Sequence, residues 1–196
     1  MPTADNTPKI PDAAWLEARF GEDSLWRPAE ADLPKELSHG TSREFLTTVG
    51  FPAVTIDLID FDSTHLRDDD EPYPFDADEL YGKRYPDDDS PPENFCFTIG
   101  TRFDQQLMLD AAVGDIDHYD PSGWDHGAGQ QGTAASSLPA LAVLLGLLVE
   151  RRDALTSDDT ETRDAAVADL RKRMGDVEPE VYDSSFWADV FEYLSE

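Results

Sequence analysis

Residues 95–123 read FCFTIGTRFDQQLMLDAAVGDIDHYDPSG and contain several strand-like runs in succession. This stretch has three short runs rich in apolar and strand-forming residues, at Phe95–Gly100, Gln106–Ala111 and Val113–Tyr119. The tetrapeptide DPSG at 120–123 is typical of a β-turn and ends the last run. Because the connections between the runs are short, the segment predicts an antiparallel meander of three strands.

The residues upstream of the meander predict two helices. The first is expected over 12–20, where Asp12 can accept an N-cap hydrogen bond and the large apolar residues share one face. The second is expected over 41–49, with Thr41 or Ser42 as its N-cap and a glycine directly after it as a terminator.

The residues downstream of the meander predict three more helices. The run LPALAVLLGLLV at 138–149 has 12 apolar or helix-compatible residues, whereas about 20 are needed to cross a bilayer. It is therefore interpreted as a buried core helix, capped by Ser136 or Ser137. Amphipathic spacing predicts the other two helices over 161–174 and 185–195.

The order of these elements predicts an α+β fold. The run Val54–Phe61 alternates apolar and polar residues and predicts one more strand, so strands lie in the middle of the chain and helices at its two ends. We expect a mostly antiparallel central sheet with helices at the N- and C-terminal ends. Leu144, Leu148, Trp187 and Phe191 are expected in its core.

Composition along the chain predicts one domain with a tail and a long excursion. Residues 1–11 are polar and lack the cationic and apolar regions of a secretion signal, and 12–196 is expected to form a single domain. Within it, residues 62–93 are rich in proline and predict a long surface excursion with one short helical turn near Asp78–Tyr81. Cys96 is the only cysteine, so no internal disulfide can form, and we expect a cytoplasmic protein.

The charge of the chain restricts its partners. The sequence has 43 acidic and 15 basic residues, a net charge of −28 at pH 7. Nucleic acids and anionic membranes would be repelled by such a chain, whereas a basic protein would be attracted. We therefore expect a basic protein partner, no nucleic acid and no membrane. Solubility or the composition of the host is the alternative explanation of the acidity.

The excursion carries a disproportionate share of this charge. Residues 57–93 hold 14 acidic and 3 basic residues, interleaved with tyrosine and phenylalanine, which are enriched as anchors in protein interfaces. The partner-binding residues predicted from this pattern are Asp68, Asp69, Asp70, Tyr81, Tyr85, Asp87, Asp88 and Asp89. The alternative is that the rings fold back onto the domain and the aspartates are only solvated.

The motifs that resemble catalytic or ligand sites lack the context they need. GAGQQG at 127–132 matches a dinucleotide fingerprint, but a complete turn separates it from the preceding strand, so a flexible connector is predicted. Asp60 could start a calcium loop, but His65 stands where its sharp turn requires glycine. His118 and His126 flank aspartates, yet two imidazoles across a turn are too few for a typical metal site. We predict no catalytic residue, no cofactor and no metal.

Four segments carry a family resemblance when they are taken in chain order. They are HGTSREFLTTVGFP (39–52), the meander (95–123), QGTAASSLPALAVLLGLL (131–148) and WADVFEYL (187–194). Together they resemble the SUKH superfamily of toxin-neutralising immunity proteins, in particular its fourth branch. In that branch a TRxFL helix runs into GLP, the meander has IG, LD and GxVxxxDP motifs, and the final helix carries a tryptophan. The resemblance spans roughly 15–196, with Phe51 in place of the leucine of GLP and Ala134 and Ala135 where an asparagine is common.

This resemblance implies a non-catalytic protein that acts by binding. SUKH immunity proteins neutralise polymorphic toxins, often nucleases or nucleic-acid deaminases, by direct protein–protein contact and without a cofactor. The superfamily also contains interaction scaffolds and regulatory modules without a toxin partner, and that role is the alternative. An acidic surface suits the first role, because a toxin that grips nucleic acid carries a basic cleft.

Overall fold

The computed structural model describes residues 7–68, 70–84, 88–123 and 129–195. The helices are α1 (Ala13–Phe20), α2 (Gly40–Thr48), α3 (Ala77–Leu80), α4 (Leu138–Glu150), α5 (Arg152–Leu155), α6 (Thr160–Val177) and α7 (Ser185–Tyr193). The strands are β1 (Leu25–Trp26), β2 (Phe51–Pro52), β3 (Thr55–Ile56), β4 (Phe61–Asp62), β5 (Pro74–Asp76), β6 (Phe95–Arg102), β7 (Gln105–Asp110), β8 (Ile116–Tyr119) and β9 (Gln130–Ala135). The fold is α+β, as the sequence predicted.

The central sheet is antiparallel throughout the described residues. Its strands follow the order β3-β4-β6-β7-β8-β9, and β5 pairs with β6 on the edge that β4 also uses. A separate two-stranded sheet joins β1 to β2. The predicted meander is confirmed as β6, β7 and β8. Its third strand begins later than expected because the side chain of Asp110 accepts hydrogen bonds from the amides of Ala112 and Val113, which holds these residues in a turn.

One further strand prediction and one connector prediction were wrong. The strand expected over Val54–Phe61 is two short strands, because the chain reverses through a turn in which the Ile59 amide donates to the Ile56 carbonyl. The connector expected at 127–132 ends in β9, which adds to the free edge of β8. Gly127 and Ala128 lie outside the described residues.

The helix predictions were confirmed, with corrections at their ends. Asp12 caps α1 by accepting a hydrogen bond from the amide of Trp15 at 2.7 Å, and Ser137 caps α4. α2 begins at Gly40 with no side-chain cap, so neither Thr41 nor Ser42 has the expected role. The Ser42 hydroxyl instead lies 2.8 Å from Nδ1 of His39.

One face of the sheet packs against the helices and forms the main core. α4 lies at its centre and contacts α1, α2, α6 and β9, and its first eleven residues are all buried. Leu144, Leu148, Trp187 and Phe191 are buried there, as predicted from their spacing. Among the described residues, no helix is both long enough and apolar enough to cross a membrane.

The other face of the sheet has a smaller core of its own. Cys96, Met108 and Tyr119 alternate with the residues that face the helices, and they pack against Ala77 and Tyr81. This second face of the sheet is therefore covered by α3, which belongs to the acidic excursion 62–93.

Candidate partner-binding surface

The acidic excursion 62–93 contains the predicted helical turn, as α3, and also a 3-10 helix and a strand that were not predicted. After β4 it forms a 3-10 helix at Thr64–Arg67, then β5 along the edge of β6, and then α3. β5 is possible despite its proline because Pro74 opens the strand, where the missing N–H interrupts no ladder in its interior. The excursion is thus fastened to the sheet by backbone pairing at residues 74–76.

An arginine holds the later part of the excursion in place. The guanidinium of Arg84 forms an ion pair with Asp76, and both side chains are largely buried. Its Nε atom lies 3.8 Å from Oδ2 of Asp88. The Asp76 side chain also accepts hydrogen bonds from the first amides of α3, so this carboxylate caps the helix and binds the arginine together. These contacts fix the side of the excursion that carries Asp88 and Asp89.

Tyr81, which belongs to the acidic excursion, is buried beneath it in the second core. Its ring is only 5% exposed and lies 6.0 Å, centroid to centroid, from the ring of Tyr119. Burial raises the pKa of the Tyr81 phenol well above its ordinary value, and the neighbouring Cys96 and Asp117 raise it further. The structure therefore places this residue in the second core, where it has little surface to offer a partner.

The predicted acidic residues that the structure describes are exposed. Asp68 and Asp70 follow the 3-10 helix, and Asp88 and Asp89 follow the Arg84 contacts. Hydrogen bonds from the hydroxyl and amide of Ser90 lower the pKa of Asp88 below its usual value, so this carboxylate stays charged. The remaining predicted residues, Asp69, Tyr85 and Asp87, lie outside the described residues.

An exposed aromatic ring that the sequence prediction did not select lies on the same excursion. Tyr73 is 57% exposed and contacts Phe75 edge to face, with 5.3 Å between the ring centroids. Tyr73 and Tyr81 have similar sequence surroundings, so only the position of β5 and α3 on the sheet separates the buried Tyr81 from the exposed Tyr73.

Further acidic residues lie on β8 and beside it, at Asp117 and Asp115. Asp117 is 7% exposed, and burial, followed by the charge of Asp115, raises the pKa of its carboxyl. Nε2 of Gln130 donates a hydrogen bond to it at 3.2 Å. Burial also raises the pKa of Asp115, which lines an open groove of about 480 Å³ together with Glu180 and Asp183. These three groove carboxylates form no ion pair with any residue that the structure describes.

The residues that resembled catalytic groups have ordinary packing environments. His118 is buried, its Nδ1 lies 2.8 Å from the Ser185 hydroxyl, and burial lowers the pKa of its imidazole. Burial raises the pKa of the Cys96 thiol to about 12, which leaves it protonated and a poor nucleophile. His126 lies outside the described residues, and those that are described contain no group of three metal-ligating side chains.

Fold and surface together define an acidic α+β protein with a structured, carboxylate-rich excursion mounted on a meander sheet. The family model for the SUKH-4 immunity protein matches residues 11–193, and the chain belongs to this family of immunity proteins. The family resemblance drawn from the four sequence segments is thereby confirmed. A search of curated proteins and a search of solved structures each gave no match.

Proposed function

We propose that this protein neutralises a cognate toxin of the nuclease or nucleic-acid deaminase type by binding it directly in the cytoplasm. The observation that carries the proposal is the excursion 62–93, which presents exposed carboxylates from a backbone held against the sheet. A toxin that binds nucleic acid needs a basic cleft, and a fixed array of carboxylates is complementary to such a cleft. Binding there excludes the substrate without any chemistry by the immunity protein.

The contact surface is proposed to include Asp68, Asp70, Asp88 and Asp89, together with Asp69, Asp87 and Tyr85. Tyr81 is assigned a supporting role, because its ring packs on Tyr119 inside the second core. Charges at the rim of an interface act mainly on the rate of association and on its salt dependence. The proposed mechanism is therefore rapid capture of a basic toxin by electrostatic attraction, followed by close packing.

Co-expression with the toxin domain encoded by the neighbouring gene tests this function. We expect growth of the host to be restored by this protein and a direct complex to be detected by isothermal titration calorimetry with a catalytically inactive toxin. An unrelated protein of similar net charge is the control, since it should not protect. Continued toxicity with normal levels of folded immunity protein would contradict the proposal and favour a scaffold role without a toxin.

A further inference from the structure

The hairpin that joins β6 to β7 ends in an unusual turn. Arg102 pairs with Gln105, so the connection has only two residues, Phe103 and Asp104. Phe103 has a φ angle of 51°, in the left-handed region. Tight hairpin turns usually place glycine, asparagine or aspartate at positive φ, because a bulky side chain is strained there. A phenylalanine at this position therefore strains the backbone, and the stability of the fold does not explain why it is there.

The Phe103 ring does not enter the core. It is 54% exposed and stacks edge to face on Tyr193 of α7, which is 43% exposed, with 5.8 Å between ring centroids. The guanidinium carbon of Arg102 lies 4.7 Å from the Phe103 centroid and 5.5 Å from the Tyr193 centroid. Arg102 itself is buried, and its Nε donates to the carbonyl of Ile59 at 3.1 Å. One buried cation thus holds two exposed rings in a fixed arrangement.

The surroundings of the two rings are acidic. Asp60 and Asp189 lie close enough to Arg102 to act on its charge, and Asp104 and Glu192 directly adjoin the rings in the chain. Asp60, Asp104 and Glu192 are exposed. None of the four carboxylates forms an ion pair within the described part of the chain. Arg102 partly balances the charges of Asp60 and Asp189, whereas those of Asp104 and Glu192 are available to an incoming cation.

We infer that Phe103 and Tyr193 form an aromatic anchor that receives arginine or lysine side chains of the toxin. The inference rests on the proposed function and adds a second contact surface to the acidic excursion. Aromatic faces attract cations, and the cost of fixing the rings is already met within the folded protein, which favours binding. Rigid aromatic residues surrounded by polar groups are the usual energetic centres of protein interfaces.

Two substitutions separate this role from a structural one. Phe103→Gly removes the ring and supplies the residue best suited to positive φ, so the hairpin should be kept and the melting temperature should stay equal or rise. Tyr193→Ala removes the second ring from the end of α7. Tyr182→Ala is the matched control, because Tyr182 is 49% exposed and also lies near an arginine, Arg171, at 6.0 Å from its ring centroid.

Surface-kinetic measurements with the catalytically inactive toxin domain provide the test. We expect Phe103→Gly and Tyr193→Ala to speed dissociation by roughly tenfold or more, as for an anchor residue, and the Tyr182→Ala control to match the unaltered protein. Dissociation within about twofold of the unaltered protein for both ring variants would overturn the aromatic anchor while leaving the proposed function intact. A complete lack of binding by the unaltered protein would overturn both.

Discussion

Nε1 of Trp187 donates a hydrogen bond to the carbonyl oxygen of Ala134 at 2.7 Å. This bond joins α7, the last helix, to β9, the edge strand that the sequence did not predict. The indole is fully buried and its ring stacks edge to face on Phe186. One side chain thereby closes the main core and satisfies a backbone acceptor at the border of the sheet.

Replacing Trp187 by alanine should destabilise the protein by about 3–5 kcal/mol, since a large aromatic side chain is removed from a packed core. Trp187→Phe is the informative companion, because it keeps most of the packing and removes only the hydrogen-bond donor. That change should cost about 1–3 kcal/mol from the unpaired carbonyl alone, in addition to a small loss of volume. Urea unfolding measures both. A loss below about 1 kcal/mol for the alanine variant would show that the indole is not a core residue.

Neutralising the acidic excursion should slow association with the toxin. Replacing Asp68–Asp70 and Asp87–Asp89 by asparagine should lower the association rate several-fold at low salt, with little effect at high salt or on thermal stability. The control is an equal number of Asp→Asn or Glu→Gln substitutions at exposed acids elsewhere, namely Glu22, Asp32, Asp153, Asp158, Glu161 and Asp164. If both variants slow association equally, net charge rather than this surface governs capture.

The contribution of the buried Asp117 carboxyl to stability should fall as the pH rises from acid to neutral. Its pKa in the folded protein is raised, mainly by burial, so the folded state binds the proton more tightly than the unfolded state. Its contribution is therefore most favourable below the unfolded pKa and is lost as the pH rises through the folded pKa. Asp117→Asn should stabilise the protein at pH 7 and have a smaller effect near pH 3.5. Denaturant unfolding at the two pH values checks this, and an equal effect at both would contradict it.

The close approach of β6 to β4 should make Gly100 intolerant of a side chain. A Cβ atom at this position would overlap the ring of Phe61, which is fully buried and has no room to withdraw. We expect Gly100→Ala to destabilise by about 1–3 kcal/mol, the usual cost of overpacking. Phe61→Leu should recover part of this loss in the double variant although it is destabilising alone. Additive effects in thermal or urea unfolding would show that the two positions do not interact.

The sequence predicted those parts of the molecule whose signals are local. The α4 run is apolar on every side, the meander has strand periodicity with turns between its strands, and Asp12 and Ser137 start helices by side-chain capping. Binary patterning and capping depend on neighbouring residues, so they can be recognised without the fold.

The parts that could not be predicted depend on contacts between distant residues. β9 has the sequence QQGTAA, in which Thr133 is the only strand-forming residue, and it is a strand because the β8 edge and Trp187 supply its hydrogen bonds. A glycine such as Gly175 often ends a helix, but here it lies within α6. Its lack of a side chain leaves room for the Tyr182 ring. Phe103 and Tyr193 meet only through the fold, so neither the strained turn nor the ring pair had a sequence signal.

The shared edge of β6 has an evolutionary consequence. β4 pairs with its last residues, at Thr101 and Arg102, and β5 with its first, at Phe95–Phe97. The chain between β4 and β5 leaves the edge of β6 and returns to it. Ser63 and Leu66 are buried, but residues 68–71, which follow them, can lengthen or shorten without shifting the register of any ladder. The entropy of closing such a loop grows only slowly with its length. Recognition of new partners can therefore evolve by insertion and deletion at this position, while the scaffold that carries it stays unchanged.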